Sequence, residues 1–327
     1  MRLLVTGGAG YIGSVVARRL VESGHAVTLI DDLSKGHREA AGECELVVGD
    51  IGDSRLVSEL LAGRRIEAVI HLAASSLVGE SVQDPSLYYR NNLVRSLALL
   101  DVMLERGVGR LVFSSTAAVY GEPIALPIDE SHPTRPTNPY GETKLALETA
   151  LRWYHAAHGL SSVALRYFNA AGATPDGALG EVHDPETHLV PNVLRAALGS
   201  EPVPVFGTDY QTPDGTAVRD YIHILDLADA HVRALERLEG AGGASAFNLG
   251  NGSGFSVLQV IEAARRVTGR PIPIRKAPRR PGDPETLVAS SDKAREELRW
   301  EPKFPDLESI IETAWKFLRA HPKGYNP

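Results

Sequence analysis

The sequence predicts an α/β chain in which a doubly wound parallel sheet is joined to a second, smaller α/β domain. Three observations predict it. Up to about residue 170, short apolar runs alternate with segments of helical period, in the βαβ order that builds a parallel sheet. These runs end in a glycine turn, a carboxylate, small residues or hydroxyls, which suit ligand contact at the carboxyl ends of parallel strands. Beyond that point glycine, proline and aspartate dominate residues 170–222, and alternation returns only briefly.

The first run, Arg2 to Thr6, meets Gly7-Gly8-Ala9-Gly10-Tyr11-Ile12-Gly13. A helical stripe follows (Val15, Val16, Leu20, Val21) and stops at Ser23-Gly24, a C-terminal signal. Ala26-Val27-Thr28-Leu29-Ile30 is the second strand, ending at Asp31. The result is a βαβ unit with glycine at every third position of its first turn, a variant of the dinucleotide fingerprint. Gly7 permits the tight turn, Gly10 lets the backbone approach a pyrophosphate, and Gly13 lets the helix pack closely on the strand. Asp31 is set to accept from both ribose hydroxyls of adenosine. Its charge repels a 2′-phosphate, which favours NAD over NADP. The plain alternative is a glycine-rich turn in some other α/β fold, and the flanking strands and Asp31 weigh against it.

The alternation continues through Leu46-Val47-Val48, which runs into Gly49-Asp50-Ile51, then a helix over Leu56 to Leu61. Ala68 to Leu72 is a strand whose tip, Ala73-Ala74, is small enough to lie against a cofactor. The spacing predicts one helix from Tyr88 to Leu104, closed by Gly107, with polar Asn91-Asn92 near its start. Leu111 to Thr116 is a strand ending in hydroxyls, and Ser162 to Asn169 is the next. Later come a helix near Leu189 to Leu198, a strand Val203 to Phe206, the segment Asp220-Tyr221-Ile222-His223, a helix Leu227 to Leu238 and a strand Ala246 to Leu249. We expect residues 1–170 to form one domain, with a segment near 220–250 returning to its sheet, and residues 171–327 the other.

Between the last two strands of the first half lies Asn138-Pro139-Tyr140-Gly141-Glu142-Thr143-Lys144. Asn138 is a good N-cap and Pro139 suits the first helical position, so a helix of about five turns begins here. Tyr140 and Lys144 are then i and i+4 on one face. A phenol, with an ordinary pKa of about 10, becomes a base near neutrality only if a cation stabilises its phenolate, and the lysine supplies one. For an isolated Y-x-x-x-K the plain alternative, a half-buried tyrosine beside a solvated lysine, is the better reading. The glycine fingerprint and the hydroxyl of Thr116 change that.

Composition excludes several function classes. The 327 residues are 43% hydrophobic and 23% charged, an ordinary soluble pattern that fits roughly two domains. A net charge of −7 argues against nucleic-acid binding. The lone Cys44 excludes a disulfide framework and a cysteine-rich metal site. Leu3-Leu4-Val5 meets glycine at once, so no signal-peptide core is read, and no apolar run approaches a membrane span. A cytoplasmic location is expected. The eleven histidines show no H-x-x-x-H or comparable ligand cluster, so no metal is expected.

Taken together, Thr6 to Gly13, Ser114-Ser115-Thr116-Ala117-Ala118-Val119-Tyr120-Gly121, Tyr140-x-x-x-Lys144, Arg166-Tyr167-Phe168-Asn169 and Arg219-Asp220-Tyr221-Ile222-His223 resemble the extended short-chain dehydrogenase/reductases. With Val78-Gly79-Glu80-Ser81 and Ala277 to Asp283, the set resembles the UDP-glucose/UDP-galactose 4-epimerase family of that superfamily over almost the whole chain. The resemblance implies a Rossmann-type NAD domain, a nucleotide-sugar-binding domain, and reversible epimerisation at C4 through a transient 4-keto sugar. It implies that Tyr140 takes the proton of the sugar 4-hydroxyl, that Lys144 holds the nicotinamide ribose and lowers the phenol pKa, and that Thr116 bonds the same sugar oxygen. NAD contacts would fall at Gly7, Gly10, Tyr11, Ile12, Gly13, Asp31, Asp32, Asp50, Ile51, Leu72, Ala73, Ala74, Asn92, Tyr140, Lys144 and Phe168. UDP-sugar contacts would fall at Thr116, Tyr140, Asn169, His188, Leu189, Val205, Phe206, Arg219, Arg280, Asp283 and Leu287. A homodimer through the Tyr88–Leu104 and Tyr140–His158 helices, paired with their copies into four, is also implied.

The sequence departs from the family pattern at four positions. Thr116 replaces a common serine and keeps the hydroxyl. Ser76 stands where some members have a lysine near the cofactor phosphates. His188 stands where many have an asparagine facing the diphosphate. Leu287 lies at the position that gates the sugar 2-substituent, where aromatics restrict members to glucose and galactose and small residues admit N-acetyl sugars. Its intermediate size predicts preference for UDP-glucose and UDP-galactose. The alternatives are 4-epimerisation of another UDP-sugar (N-acetylhexosamine, pentose or uronate), a nucleotide-sugar 4,6-dehydratase, and an inactive NAD-binding regulator. A dehydratase needs an acid after the threonine, where Ala117-Ala118 stand. A regulator tends to lose the tyrosine or lysine, and both are present.

Overall fold

The computed structural model describes residues 1–240, 242–280 and 283–325; Ala241, Pro281, Gly282, Asn326 and Pro327, which include part of the Ala277 to Asp283 motif, lie outside the described residues. The apolar runs form β1 (Arg2–Thr6), β2 (Ala26–Asp31), β3 (Glu45–Val48), β4 (Ala68–His71), β5 (Arg110–Thr116) and β6 (Ser161–Tyr167). All pair in parallel, in the order β6-β5-β4-β1-β2-β3. Their middles are buried on both faces, which explains why they read as continuous apolar runs rather than alternating ones.

Helices cover both faces. They are α1 (Tyr11–Glu22), α2 (Ser54–Gly63), α3 (Val78–Gln83), α4 (Pro85–Tyr88), α5 (Arg95–Glu105) and α6 (Pro139–His158). On one face α1 packs with a later helix over Leu3, Val5, Leu29 and Ile70; on the other, α2, α5 and α6 pack over Leu4, Ile30, Val69 and Phe113. Each of these fully buried apolar side chains contributes about 1.5–3 kcal/mol. The single helix expected over Tyr88 to Leu104 is interrupted: residues 89–94 form a π-helical turn between α4 and α5.

Beyond β6 come β7 (Asn169–Ala171), α7 (Leu189–Ala197), β8 (Val203–Phe206), β9 (Val218–His223), α8 (Ile224–Gly240) and β10 (Ala244–Leu249). α8 is the partner of α1, and β10 lies parallel to β6, completing a seven-stranded sheet. The chain continues as β11 (Gly254–Ser256), α9 (Val257–Thr268), β12 (Ile274–Ala277), β13 (Thr286–Leu287), α10 (Asp292–Leu298) and α11 (Leu307–Ala320). β7, β11 and β13 all pair with β9, while β8 pairs with β12. Thus the expected strand Ser162 to Asn169 divides, because after Tyr167 the chain leaves β5 and Asn169 takes Tyr221 as its neighbour. A separate core of Val193, Leu194, Ile261, Ile310 and Ile311 lies under α7, α9 and α11. No helix among the described residues is long and apolar enough to cross a membrane.

Candidate active site

The carboxyl ends of β1 to β6 share one edge of the sheet, stitched by Gly7 N–H to Ile30 C=O (2.9 Å), Gly49 N–H to Asp31 C=O (3.0 Å) and Leu72 N–H to Thr6 C=O (3.1 Å). That edge gathers Gly7, Asp31, Asp50, Ala73, Thr116 and Phe168. Gly7 has φ +68°, and a Cβ there would meet the Ala73 backbone nitrogen at 2.7 Å, so the turn after β1 fits against the tip of β4 only as glycine. At Gly13 a Cβ would come within 2.0 Å of the Gly7 carbonyl, which is the close helix–strand approach the glycine spacing predicts. At Gly10 the nearest atom would be 3.4 Å away, leaving the start of α1 open.

That start has the character of an anion site. Gly10 supplies no side-chain cap and the first turn of α1 carries no acid, so the N–H groups around Tyr11, Ile12 and Gly13 have no side-chain partner. This uncapped, positively polarised end fits a pyrophosphate. Asp31 is buried at the tip of β2, accepting from Ala9 N–H (3.0 Å) and Leu33 N–H (2.9 Å); burial raises its pKa, and these bonds oppose the shift. Asp32 turns to Ser34, and Asp50 pairs with Arg95 at 2.8 Å, beside buried Ile51. The Tyr11 hydroxyl donates to Gly172 C=O (2.7 Å), tying the cofactor edge to the end of β7.

Behind the tip of β4 runs a polar chain that the sequence reading missed. Thr6 Oγ1 bonds His71 Nδ1 (2.7 Å), and His71 Nε2 bonds Ser96 Oγ (2.8 Å). Burial, with Lys144 nearby, lowers the His71 pKa to about 3, so the ring is neutral and serves to hold β1, β4 and α5 together. Asn92 accepts from Ser75 N–H (2.8 Å) and donates to Ser75 C=O (2.9 Å), clasping the segment after Ala73-Ala74. It reaches that segment from the π turn, a common device near functional sites.

The helix α6 begins as its sequence specifies. Asn138 Oδ1 accepts from Gly141 N–H (2.9 Å) and Pro139 is the first helical residue. Lys144 is 3% exposed, donates to Ser114 C=O (2.9 Å), and lies 5.9 Å from the centre of the Tyr140 ring. Burial alone lowers its pKa to about 7. Burial raises that of Tyr140, and the Thr116 hydroxyl opposes the rise. Tyr140, Lys144 and Thr116 therefore meet at one wall. Tyr88 stands edge-on to Tyr140 at 6.3 Å and donates to Glu80 (2.8 Å), which explains the Val78-Gly79-Glu80-Ser81 motif. Four residues beyond Lys144, Glu148 makes a buried bidentate pair with Arg166 of β6, at 2.9 and 2.6 Å. Ser115 donates to the same carboxylate.

The second half contributes a wall of different chemistry. Leu287 lies beside Arg219 in the β13–β9 register and packs against Val119, Tyr120 and Ile128, as does Phe168. Arg219 is ion-paired with Asp283, so two of the residues expected to contact UDP are joined here. Asn169 donates to Asp220 C=O (3.2 Å), and the Asp220 carboxylate, buried and raised to about 6, accepts from Asn251, Gly252 and Ala289. Arg280 stacks over Phe206 at 3.9 Å, whereas Val205 is buried in the core below. Leu189 opens α7, and His188, its N-cap, is bonded to Glu181. Contrary to the sequence reading, which found no histidine ligand cluster, Glu181, His183, Glu186 and His188 bring four donor atoms within 4.8 Å of one another. Their irregular spacing on a non-helical segment carries no periodic signal.

Residues 3–250 match the profile of the NAD dependent epimerase/dehydratase family. The chain is 55% identical over 327 residues to a UDP-glucose 4-epimerase of Halalkalibacterium halodurans, covering 100% of this chain and 98% of that one. It is 56% identical over 322 residues to a UDP-glucose 4-epimerase of Corynebacterium glutamicum, covering 98% and 96%. A solved UDP-glucose 4-epimerase from Bifidobacterium longum, in complex with NAD+ and UDP, superposes with a TM-score of 0.95 at 39% identity, covering 99% of this chain and 100% of that one.

Proposed function

Because the chain belongs to the NAD dependent epimerase/dehydratase family, we propose that it interconverts UDP-galactose and UDP-glucose at C4 through a transient 4-keto sugar. The observation that carries the reading is the convergence of Tyr140, buried Lys144 and Thr116 beside an uncapped, glycine-lined helix start. Bound NAD supplies the acceptor, and then the donor, of the hydride at C4. Gly7, Gly10, Tyr11, Ile12 and Gly13 hold its pyrophosphate, Asp31 its adenosine ribose, and Asp32, Asp50, Ile51, Leu72, Ala73, Ala74, Asn92 and Phe168 line its path.

Tyr140 takes and returns the proton of the 4-hydroxyl, with Thr116 bonded to the same oxygen. Burial favours neutral forms at both Tyr140 and Lys144. The phenol thus works as a base only when positive charge is held beside it, which is the task of Lys144 once its ammonium has hydroxyls to bond. Arg219, Arg280, Asn169, His188, Leu189, Phe206 and Asp283 hold the UDP portion, with buried Val205 supporting Phe206 from below, leaving the sugar free to turn over. Leu287 limits the room for a 2-substituent.

Residues 1–170, with the segment near 220–250, form the NAD domain in this reading, and 171–327 the nucleotide-sugar domain. We read the assembly as a homodimer through α5 and α6. Supporting it, Trp153 on α6 is 71% exposed and Val94, in the turn leading into α5, is 59% exposed, and light scattering at twice the chain mass tests it. We also propose a cytoplasmic location.

The decisive experiment assays purified protein with UDP-galactose and no added NAD. UDP-glucose should form, and denaturation should release NAD. Tyr140→Phe should keep its NAD yet lose nearly all turnover, about 1,000-fold or more. Near-normal turnover in that variant removes Tyr140 from its role.

A further inference from the structure

The segment between β7 and α7 contains a polar cluster of which the proposed function uses only His188, toward UDP. Glu181 and Glu186 are buried, their side chains 7% and 1% exposed, and the His183 and His188 rings stand 5.1 Å apart, edge to face. His183 Nδ1 lies 3.2 Å from Glu181 Oε1 and 3.8 Å from Glu186 Oε1; His188 Nδ1 lies 3.7 Å from Glu186 Oε1 and is bonded to Glu181. In a tetrahedral zinc site with arms of about 2.0 Å, ligand atoms stand about 3.3 Å apart. The observed separations bracket that spacing.

Two buried atoms in the cluster are left without hydrogen bonds. His183 Nδ1 has none despite the carboxylates around it, and Glu186 Oε2 has none, its closest cation being Arg195 at 4.0 Å. Unsatisfied buried polar atoms are costly, and a metal ion is one way to satisfy several at once. Charge gives the same result. Two carboxylates need two positive charges. Two imidazolium rings would supply them only by setting like charges side by side, whereas one divalent ion supplies them with both rings neutral. Two imidazole nitrogens with two carboxylate oxygens suit Zn2+, while Mg2+ and Ca2+ favour more numerous, all-oxygen ligands.

We propose that Glu181, His183, Glu186 and His188 form a structural Zn2+ site that pins the segment between β7 and α7 against the cofactor edge. The same segment already reaches that edge: Lys35 donates to Asp184 C=O (3.2 Å) and His37 contacts Val182 C=O (3.3 Å). In this proposal the site takes no part in hydride transfer.

The test uses full-length chain without an affinity tag, treated with EDTA and returned to metal-free buffer, then titrated calorimetrically with ZnCl2 and separately with CoCl2. One Zn2+ per chain should bind with a Kd below about 1 μM. Co2+ should give the strong visible absorption of a four-coordinate centre, and Zn2+ should raise Tm. His183→Gln should weaken Zn2+ binding by at least about 100-fold, the upper end of what an outer-shell change costs. Failure of the wild-type chain to take up one equivalent overturns the proposal whatever the variant does. Unchanged affinity in His183→Gln overturns it equally, and Glu186→Gln serves for the same comparison if that variant does not fold.

Discussion

Replacing Glu148 with glutamine should cost the protein about 3–5 kcal/mol, the usual effect of stranding one partner of a buried ion pair. Glu148 and Arg166 are 4% and 7% exposed, and the guanidinium's remaining bond is to the Tyr120 hydroxyl at 2.9 Å. An amide keeps the shape and still accepts from Ser115, so the loss is of charge and not of packing. With a melting entropy of about 2.1 cal/mol/K per residue, about 0.7 kcal/mol/K for 327 residues, Tm should fall by about 4–7 °C. The assay is scanning calorimetry of wild type and variant at one fixed NAD concentration, since bound ligand shifts Tm by itself. Adding Arg166→Met to Glu148→Gln removes the stranded cation and should recover at least half of the loss. A drop below about 1.5 °C, roughly 1 kcal/mol, or no recovery in the double variant, would refute the view that this pair clamps α6 to β6.

Lys144 makes a prediction about pH. Its pKa is about 7 when folded, against 10.5 when free, so between these values the unfolded chain binds the extra proton and stability rises with pH. In cofactor-stripped protein, wild type should gain about 2 kcal/mol over Lys144→Met between about pH 7.5 and pH 9, read from urea melts; a flat difference contradicts the assigned burial effect. At Leu287, the alanine variant should raise kcat/KM for the N-acetylated UDP-sugars relative to UDP-glucose and UDP-galactose by about tenfold or more. An unchanged ratio, measured side by side, takes specificity away from this residue.

The sheet was legible because its signals are local. Each buried strand announces itself as an apolar run, and Asn138-Pro139 gives the start of α6 within a residue. The strand tips were legible for the same reason, since Gly7, Asp31 and Thr116 follow directly on their runs. What escaped depends on partners far away in sequence. Nothing around Glu148 foretells Arg166, and nothing in Leu-rich 93–104 foretells the π turn from which Asn92 meets Ser75. Asn169 looked like the end of β6, but its neighbour Tyr221 lies far downstream. The Glu181–His188 cluster forms on irregular backbone, where spacing carries no information about direction.

The wide turn at 89–94 makes residue number, more than residue identity, the constrained quantity in this stretch. Arg90 faces outward and can be exchanged at little cost. Deleting any single residue there would let the turn relax to ordinary helical bonding and rotate α4 by about 100° relative to α5. The helix would keep its hydrogen bonds, yet Asn92 would swing off Ser75 and Tyr88 off the Tyr140 ring. A change of length by one would therefore silence a site that exchange of an outward side chain such as Arg90 leaves intact.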